Sequence, residues 1–212
     1  MSNEKEVDNM FELENKYLGI NIDGCINNLE EFIHFRMFEL AHKCGCKSLK
    51  NPYGYYISDC FDIPKEECID FLKQHIFELL IGIKPREFSA SVIKKIREEK
   101  VKVWIITSRN DDFLPNNFCG KMSDVTTYYL KENNIEYDKI SLNVKDKVSF
   151  CRENNIEYMV EDNPYDINKL ADNNIKVFAF NAIYNMKCSG ENINRVFSWE
   201  HLYYTLHDLY KI

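Results

Sequence analysis

The chain has 212 residues, 45% of them hydrophobic and 14% aromatic, enough to bury one compact domain carrying an inserted subdomain. Its formal net charge of −7 and pI near 5.3 argue against a nucleic-acid partner, because such surfaces need clustered Lys and Arg to displace condensed counterions. No run approaches the roughly 18 apolar residues of a membrane span, and the opening MSNEKEVDNM lacks the apolar stretch of a secretory leader, so no membrane partner and a cytoplasmic location are expected.

The first apolar run, YLGINIDGCI (17–26), ends in a polar turn with a glycine. EEFIHFRMFELAHKC, PKEECIDFLKQHIFELL and FSASVIKKIREEK then read as helices, with the irregular NPYGYYISDCF between the first two. Residues 28–88 are therefore expected to form a helical cap inserted into an α/β core made of 1–27 and 89–212. From residue 101 the pattern changes to short apolar runs alternating with amphipathic stretches, which is how βα units of a parallel sheet read. The runs are VKVWIIT (101–107), DKISLN (138–143), EYMV (157–160) and one ending at Phe180. With YLGINI they predict a Rossmann-like sheet of about five strands. The intervening SDVTTYYLKENN, KDKVSFCRENN and PYDINKLADNN each end in Asn-Asn, a helix stop. SWEHLYYTLHDLYKI reads as a closing helix capped by Ser198. Eight cysteines without a CxxC pair fit a reducing compartment better than a disulfide framework or a zinc site.

In open parallel sheets, ligands sit beyond the carboxyl ends of the strands. That rule singles out NIDG after the first strand, TSR after the second, VKDK at a later helix start and EDNPYD after the fourth run. In this order they resemble the motifs of the haloacid dehalogenase superfamily of phosphotransfer enzymes, over nearly the whole chain from Tyr17. Within it, the run DKVSFCRENNIEYMVEDNP, the stretch around FNAIYN and the late RVFSWEHL are most similar to nucleotidases related to the 5'(3')-deoxyribonucleotidases.

The resemblance implies a magnesium-dependent phosphomonoesterase acting on a nucleoside monophosphate or another small phosphate ester. A phosphoryl group in flight spreads charge over its oxygens, so such a site supplies a nucleophile, a cation and fixed donors. By position, Asp23 would be the acid/base, with its carbonyl a metal ligand. Asp162 would ligate Mg2+ through its side chain, supported by Glu161 or Asp166. Gly24, Thr107, Ser108 and Lys147 would hold the phosphate, with Lys145 a weaker match than Lys147. The nucleophile position falls on Asn21, where the family has Asp. An amide oxygen still coordinates a cation, but it carries no charge and its lone pair is tied up in resonance, so the covalent route should fail. Natural loss of catalysis, a deliberate substitution, and direct attack by water positioned by Asp23 all fit the sequence. A non-catalytic phosphate- or nucleotide-binding protein is the alternative reading.

Simpler uses stand beside these. Asp23-Gly24 also reads as a plain turn, Thr107-Ser108 as a local cap, Lys147 as a solvated lysine, and Glu161-Asp162 as an acidic cap beside Pro164. Tyr53, Tyr55, Tyr56 and Phe61 lie where a flat group could stack, though core packing is the commoner use of such rings. Arg109 suits either a bidentate contact with substrate or the surface. Cys25 reads as a packed thiol.

Overall fold

The computed structural model describes residues 17–210. Residues 1–16 of the expected core, with the opening MSNEKEVDNM, and the last two residues of the expected closing helix lie outside the described residues. Six parallel strands form one sheet: β1 (Tyr17–Ile20), β2 (Lys102–Ile106), β3 (Lys139–Ser141), β4 (Tyr158–Glu161), β5 (Lys176–Phe180) and β6 (Ile193–Val196). Their order is β3-β2-β1-β4-β5-β6, with every neighbouring pair parallel. β6 is the strand beyond the about five expected. Its INRV lacks a continuous apolar run and is only half-buried until Val196, as an edge strand allows.

The central strands alternate between two cores, as a period of two requires. Val103 and Ile105 of β2 face one cluster, with Leu18, Ile20, Val160 and Phe178, while Trp104 and Ile106 face the other, with Met159 and Val177. The first cluster packs under α4 (Ser89–Glu98), α5 (Met122–Glu132) and α8 (Trp199–Tyr210); the second packs under α6 (Lys147–Glu153) and α7 (Pro164–Ala171). Ser198 caps α8, its Oγ accepting from the His201 N–H (3.1 Å). The Asn-Asn stops act through backbone conformation: Asn134, Asn155 and Asn174 all have positive φ, 55°, 53° and 62°, the left-handed turn that Asn tolerates at a helix end.

Between β1 and β2 the chain forms α1 (Leu29–Lys43), α2 (Ile57–Cys60) and α3 (Lys65–Gln74). These share a separate small core of Met37, Leu40, Ile57, Phe61, Cys68 and Phe71, so Phe61 packs rather than stacks on a ligand. The continuous helix expected through PKEECIDFLKQHIFELL breaks at His75 and resumes as a single wide turn over Glu78–Gly82. The chain leaves and re-enters the sheet domain through paired backbone. Asn27 bridges Pro85, and Arg86 N donates to Ile26 O (2.7 Å).

Strand order reverses between β2 and β4, on either side of β1. A crevice forms at such a switch point, outside the carboxyl ends. The ends of β1 and β4 carry Asn21 and Glu161-Asp162.

Candidate active site

Asn21 follows directly on β1 and is buried. Its backbone N–H donates to Val160 O (3.0 Å), so the residue still belongs to the sheet ladder. Its side-chain nitrogen, Nδ2, donates to three oxygens at once: the Asp23 carbonyl (2.8 Å), Glu161 Oε1 (3.2 Å) and Asp162 Oδ1 (3.3 Å). One atom therefore touches both the first and the fourth motif, residues about 140 apart in sequence. The orientation of the amide follows from its surroundings, because the amide oxygen facing three oxygens would have no donor between them.

Gly24 has φ +85°. A Cβ there would stand 2.0 Å from Asp162 Oδ2, so glycine is required both by the turn and by the carboxylate pressed against it. Arg86 Nε donates to the Gly24 carbonyl (3.0 Å) and Asn27 Oδ1 accepts from the Gly24 N–H (2.8 Å), holding the turn from both sides.

The two aspartates live in opposite fields. The Asp23 carboxylate is clamped by Arg109, whose Nε donates to Oδ2 (2.8 Å) and Nη2 to Oδ1 (2.6 Å), and it also accepts from Asn27 Nδ2 (2.9 Å). Burial alone would raise its pKa, but the Arg109 charge and these hydrogen bonds outweigh it and hold the carboxyl below its ordinary value. Asp162 is fully buried and has no ion-pair partner among the described residues. Its Oδ2 accepts from the Tyr184 hydroxyl (2.6 Å). Burial and the neighbouring Glu161 push its pKa up, against the pull of Tyr184 and Lys147.

Lys147 is buried and donates to Glu161 Oε2 (2.5 Å) and Asp166 Oδ2 (3.0 Å). It is not a solvated lysine, whereas Lys145 is exposed. Two of its three ammonium hydrogens are thereby used. Glu161 Oε1 also accepts from the N–H groups of Asp162 and Asn163. The cap of α7 is Asn163, which accepts from Tyr165 N, so the acidic pair is not spent on capping. Asp166 serves Lys147.

Thr107, buried at the end of β2, accepts from Arg109 N (3.3 Å). The local cap is real, and it leaves the hydroxyl proton free to donate. Ser108 is exposed at the rim. Arg109 is neither at the surface nor available to substrate: it is 4% exposed, with its guanidinium occupied by Asp23 and by the Leu80 carbonyl. Tyr55 and Tyr56 line a cavity with Asp23 and Arg109. Tyr53 does not. It lies in a separate open groove with Lys50 and Tyr165, its ring against the Lys187 ammonium.

A buried carboxylate without a cation is the chemical mark of a place for one. Asp162 Oδ1 and the Asp23 carbonyl converge on the Asn21 amide, whose oxygen would join them on rotation, and such hard oxygen donors suit magnesium. The Cys25 sulfur also lies within 4.8 Å of Glu161 and Asp162 oxygens. Burial, with the charges of Asp162 and Glu161, drives that thiol's pKa well up, so it stays protonated and is a poor ligand for a hard cation. The residues present fit magnesium, with one charge fewer than two aspartates would supply.

Arg86, Asn27, Tyr184 and Asn185 were not assigned from sequence. Tyr184 and Asn185 fall in FNAIYN, quoted above for its likeness; Asn185 Nδ2 donates to the Asp162 and Phe180 carbonyls (2.7 Å each), fixing the backbone behind the carboxylate. Nothing local in the sequence marks Arg86 or Asn27.

No family model matches the chain. In sequence it is similar to a nucleotidase of Clostridium acetobutylicum, 27% identical over 194 residues that cover 90% of this chain and 93% of that protein. In structure it is similar to a predicted phosphatase from Clostridium acetobutylicum, with a TM-score of 0.59 at 13% identity over 92% of this chain and 99% of that one. A haloacid dehalogenase-like hydrolase from Streptococcus pneumoniae gives a TM-score of 0.60 at 11% identity, over 91% and 99%. This is the haloacid dehalogenase fold. At one rim of this fold Asn21 and Gly24 touch Asp162, Lys147 joins them through Glu161, and Thr107 follows the neighbouring strand β2, while Asp23 turns its carboxylate sideways to Arg109. No described helix is long and apolar enough to cross a membrane.

Proposed function

We propose that the chain binds a small phosphate monoester of the kind nucleotidases act on, in the crevice between β1 and β4, and turns it over slowly. The carrying observation is the Asn21 amide, standing at the strand end with its nitrogen donating to the oxygens around it. Everything else a phosphate needs is nearby. The Lys147 ammonium keeps one hydrogen free, the Thr107 hydroxyl can donate, and Gly24 lets backbone approach. Asp162, the Asp23 carbonyl and the Asn21 amide oxygen would hold magnesium, which when bound neutralises phosphate charge and polarises the ester.

Asn21 lacks the charge to attack phosphorus. Asp23 is kept ionised by Arg109, so it is a poor proton donor to a leaving oxygen and, with its pKa lowered, a weak base toward water. Binding should therefore persist while turnover stays low. The similarity to a nucleotidase makes nucleoside monophosphates the first esters to try.

The test is hydrolysis of nucleoside monophosphates and sugar phosphates, with magnesium, by the parent and by Asn21→Asp. We expect the variant to gain on the order of 10³-fold or more in kcat, the scale on which a missing nucleophile is felt. Equal and substantial rates for both proteins would show that the reaction does not pass through position 21. Binding of inorganic phosphate by both, without hydrolysis by either, would favour the purely binding protein.

A further inference from the structure

Beside the charged rim, and sharing Asp23, Ser108, Arg109 and Tyr184 with it, lies a cavity of about 240 Å³ under the segment between β1 and β2. An apolar cavity of about 150 Å³ is enough to take up benzene, so this one has room for a single or fused ring.

Its chemistry is uneven. Aliphatic side chains come from several elements, among them Ile33 of α1, Ile69 and Leu72 of α3, Leu79 of the following turn and Met122 of α5. Tyr55 and Tyr184 form an aromatic wall, ring centroids 5.1 Å apart and nearly perpendicular. Polar side chains are the minority of the lining. Asp23 and Arg109 are spent on each other, while Lys73 and Ser108 are exposed. A polyol entering here would give up water at each hydroxyl and find few partners, whereas an apolar ring would lose nothing it needs. At the mouth, Ile69 and Phe113 remain 39% and 45% exposed, apolar surface that a ligand would cover.

We infer that this cavity receives the alcohol half of the phosphate ester and selects an alcohol that carries a flat, mostly apolar ring over a plain sugar. The inference rests on the phosphate-ester reading above and adds the class of leaving group to it. Because Asp23 borders both the rim and the cavity, the ester oxygen would lie at their junction.

Calorimetric titration of the full chain, with magnesium present, tests it using inorganic phosphate, 1-naphthyl phosphate and glucose 6-phosphate. Naphthyl phosphate should bind at least tenfold more tightly than inorganic phosphate, and glucose 6-phosphate no more tightly than inorganic phosphate. Ile69→Asp changes a side chain that already meets water, and Leu79→Trp fills the cavity. Each should abolish the naphthyl advantage and leave inorganic phosphate affinity within twofold. Glucose 6-phosphate binding as tightly as naphthyl phosphate would overturn the inference. So would variants that weaken naphthyl phosphate and inorganic phosphate alike, or phosphate binding with no naphthyl advantage. If inorganic phosphate itself fails to bind, the ester reading falls, and the cavity's assignment to a leaving group falls with it.

Discussion

Asp23 and Asp162 stand at the same rim of the same sheet, bridged by one amide nitrogen, yet they have been given opposite surroundings. Asp23 has a guanidinium aligned on both oxygens; Asp162 has a phenol, a thiol and an amide, and no cation of its own among the described residues. The pair teaches that a cluster of acids at a strand end is not one electrostatic object. One member is neutralised by a guanidinium; the other, among the described residues, is not.

Removing the internal cation should break the contrast most severely. Arg109→Leu leaves Asp23 facing a mostly buried site without its partner, a change that typically costs about 3–5 kcal/mol, and urea denaturation should show a loss on that scale. A loss below about 1 kcal/mol, the range of surface pairs, would mean the clamp is not the structural element described here.

Next, Asn21→Asp should sharpen the contrast by making the rim depend on an external cation. With chelator present, three oxygens lose their amide donor and a further carboxylate joins them, so stability should fall by about 1–3 kcal/mol, the usual penalty for unpaired buried groups. Magnesium should restore it, and should raise the Tm of the variant more than that of the parent. Equal magnesium shifts in the two proteins would place the cation elsewhere.

A third test is in pH. Asp23 has a lowered folded-state pKa, so its contribution is present above the ordinary value of 3.8 and is lost as pH falls through the lowered one. Asp162 has a raised pKa. There the unfolded chain releases its proton first, so stability falls as pH climbs from 3.8 through the raised value. In chelator, Asp162→Asn should flatten the fall in urea midpoint between pH 3.8 and about 8 and leave the profile below 3.8 unchanged. A fall of the same size in the variant over that range would refute the unpaired carboxylate.

Much of this rim is legible in the chain because strand ends are legible. An apolar run stopping at a polar turn fixes where Asn21, Thr107 and Asp162 emerge, and parallel topology brings those ends to one edge. Which side chain answers which is another matter. Arg109 follows Thr107 by two residues, so its neighbourhood was foreseeable, but its choice of Asp23, 86 residues away, depends on the angle between two loops. Lys147 shows the same division: its place at a helix start follows from pattern, while its burial against Glu161 and Asp166 follows from packing. β6 carries no apolar signal because an edge strand need not be apolar on both faces. The break at His75 was hidden because FELL continues the apolar spacing of the preceding helix although its backbone does not.

The bridge between Asn27 and Pro85 makes a doorway through which the described chain leaves the sheet after β1 and returns before β2. With both jambs tied together beside the Asp23 turn, the threshold holds its shape, and a second tie, from Arg109 to the Leu80 carbonyl, reaches across it. A shift of the inserted segment would be felt at the Asp23 carboxylate through that one guanidinium.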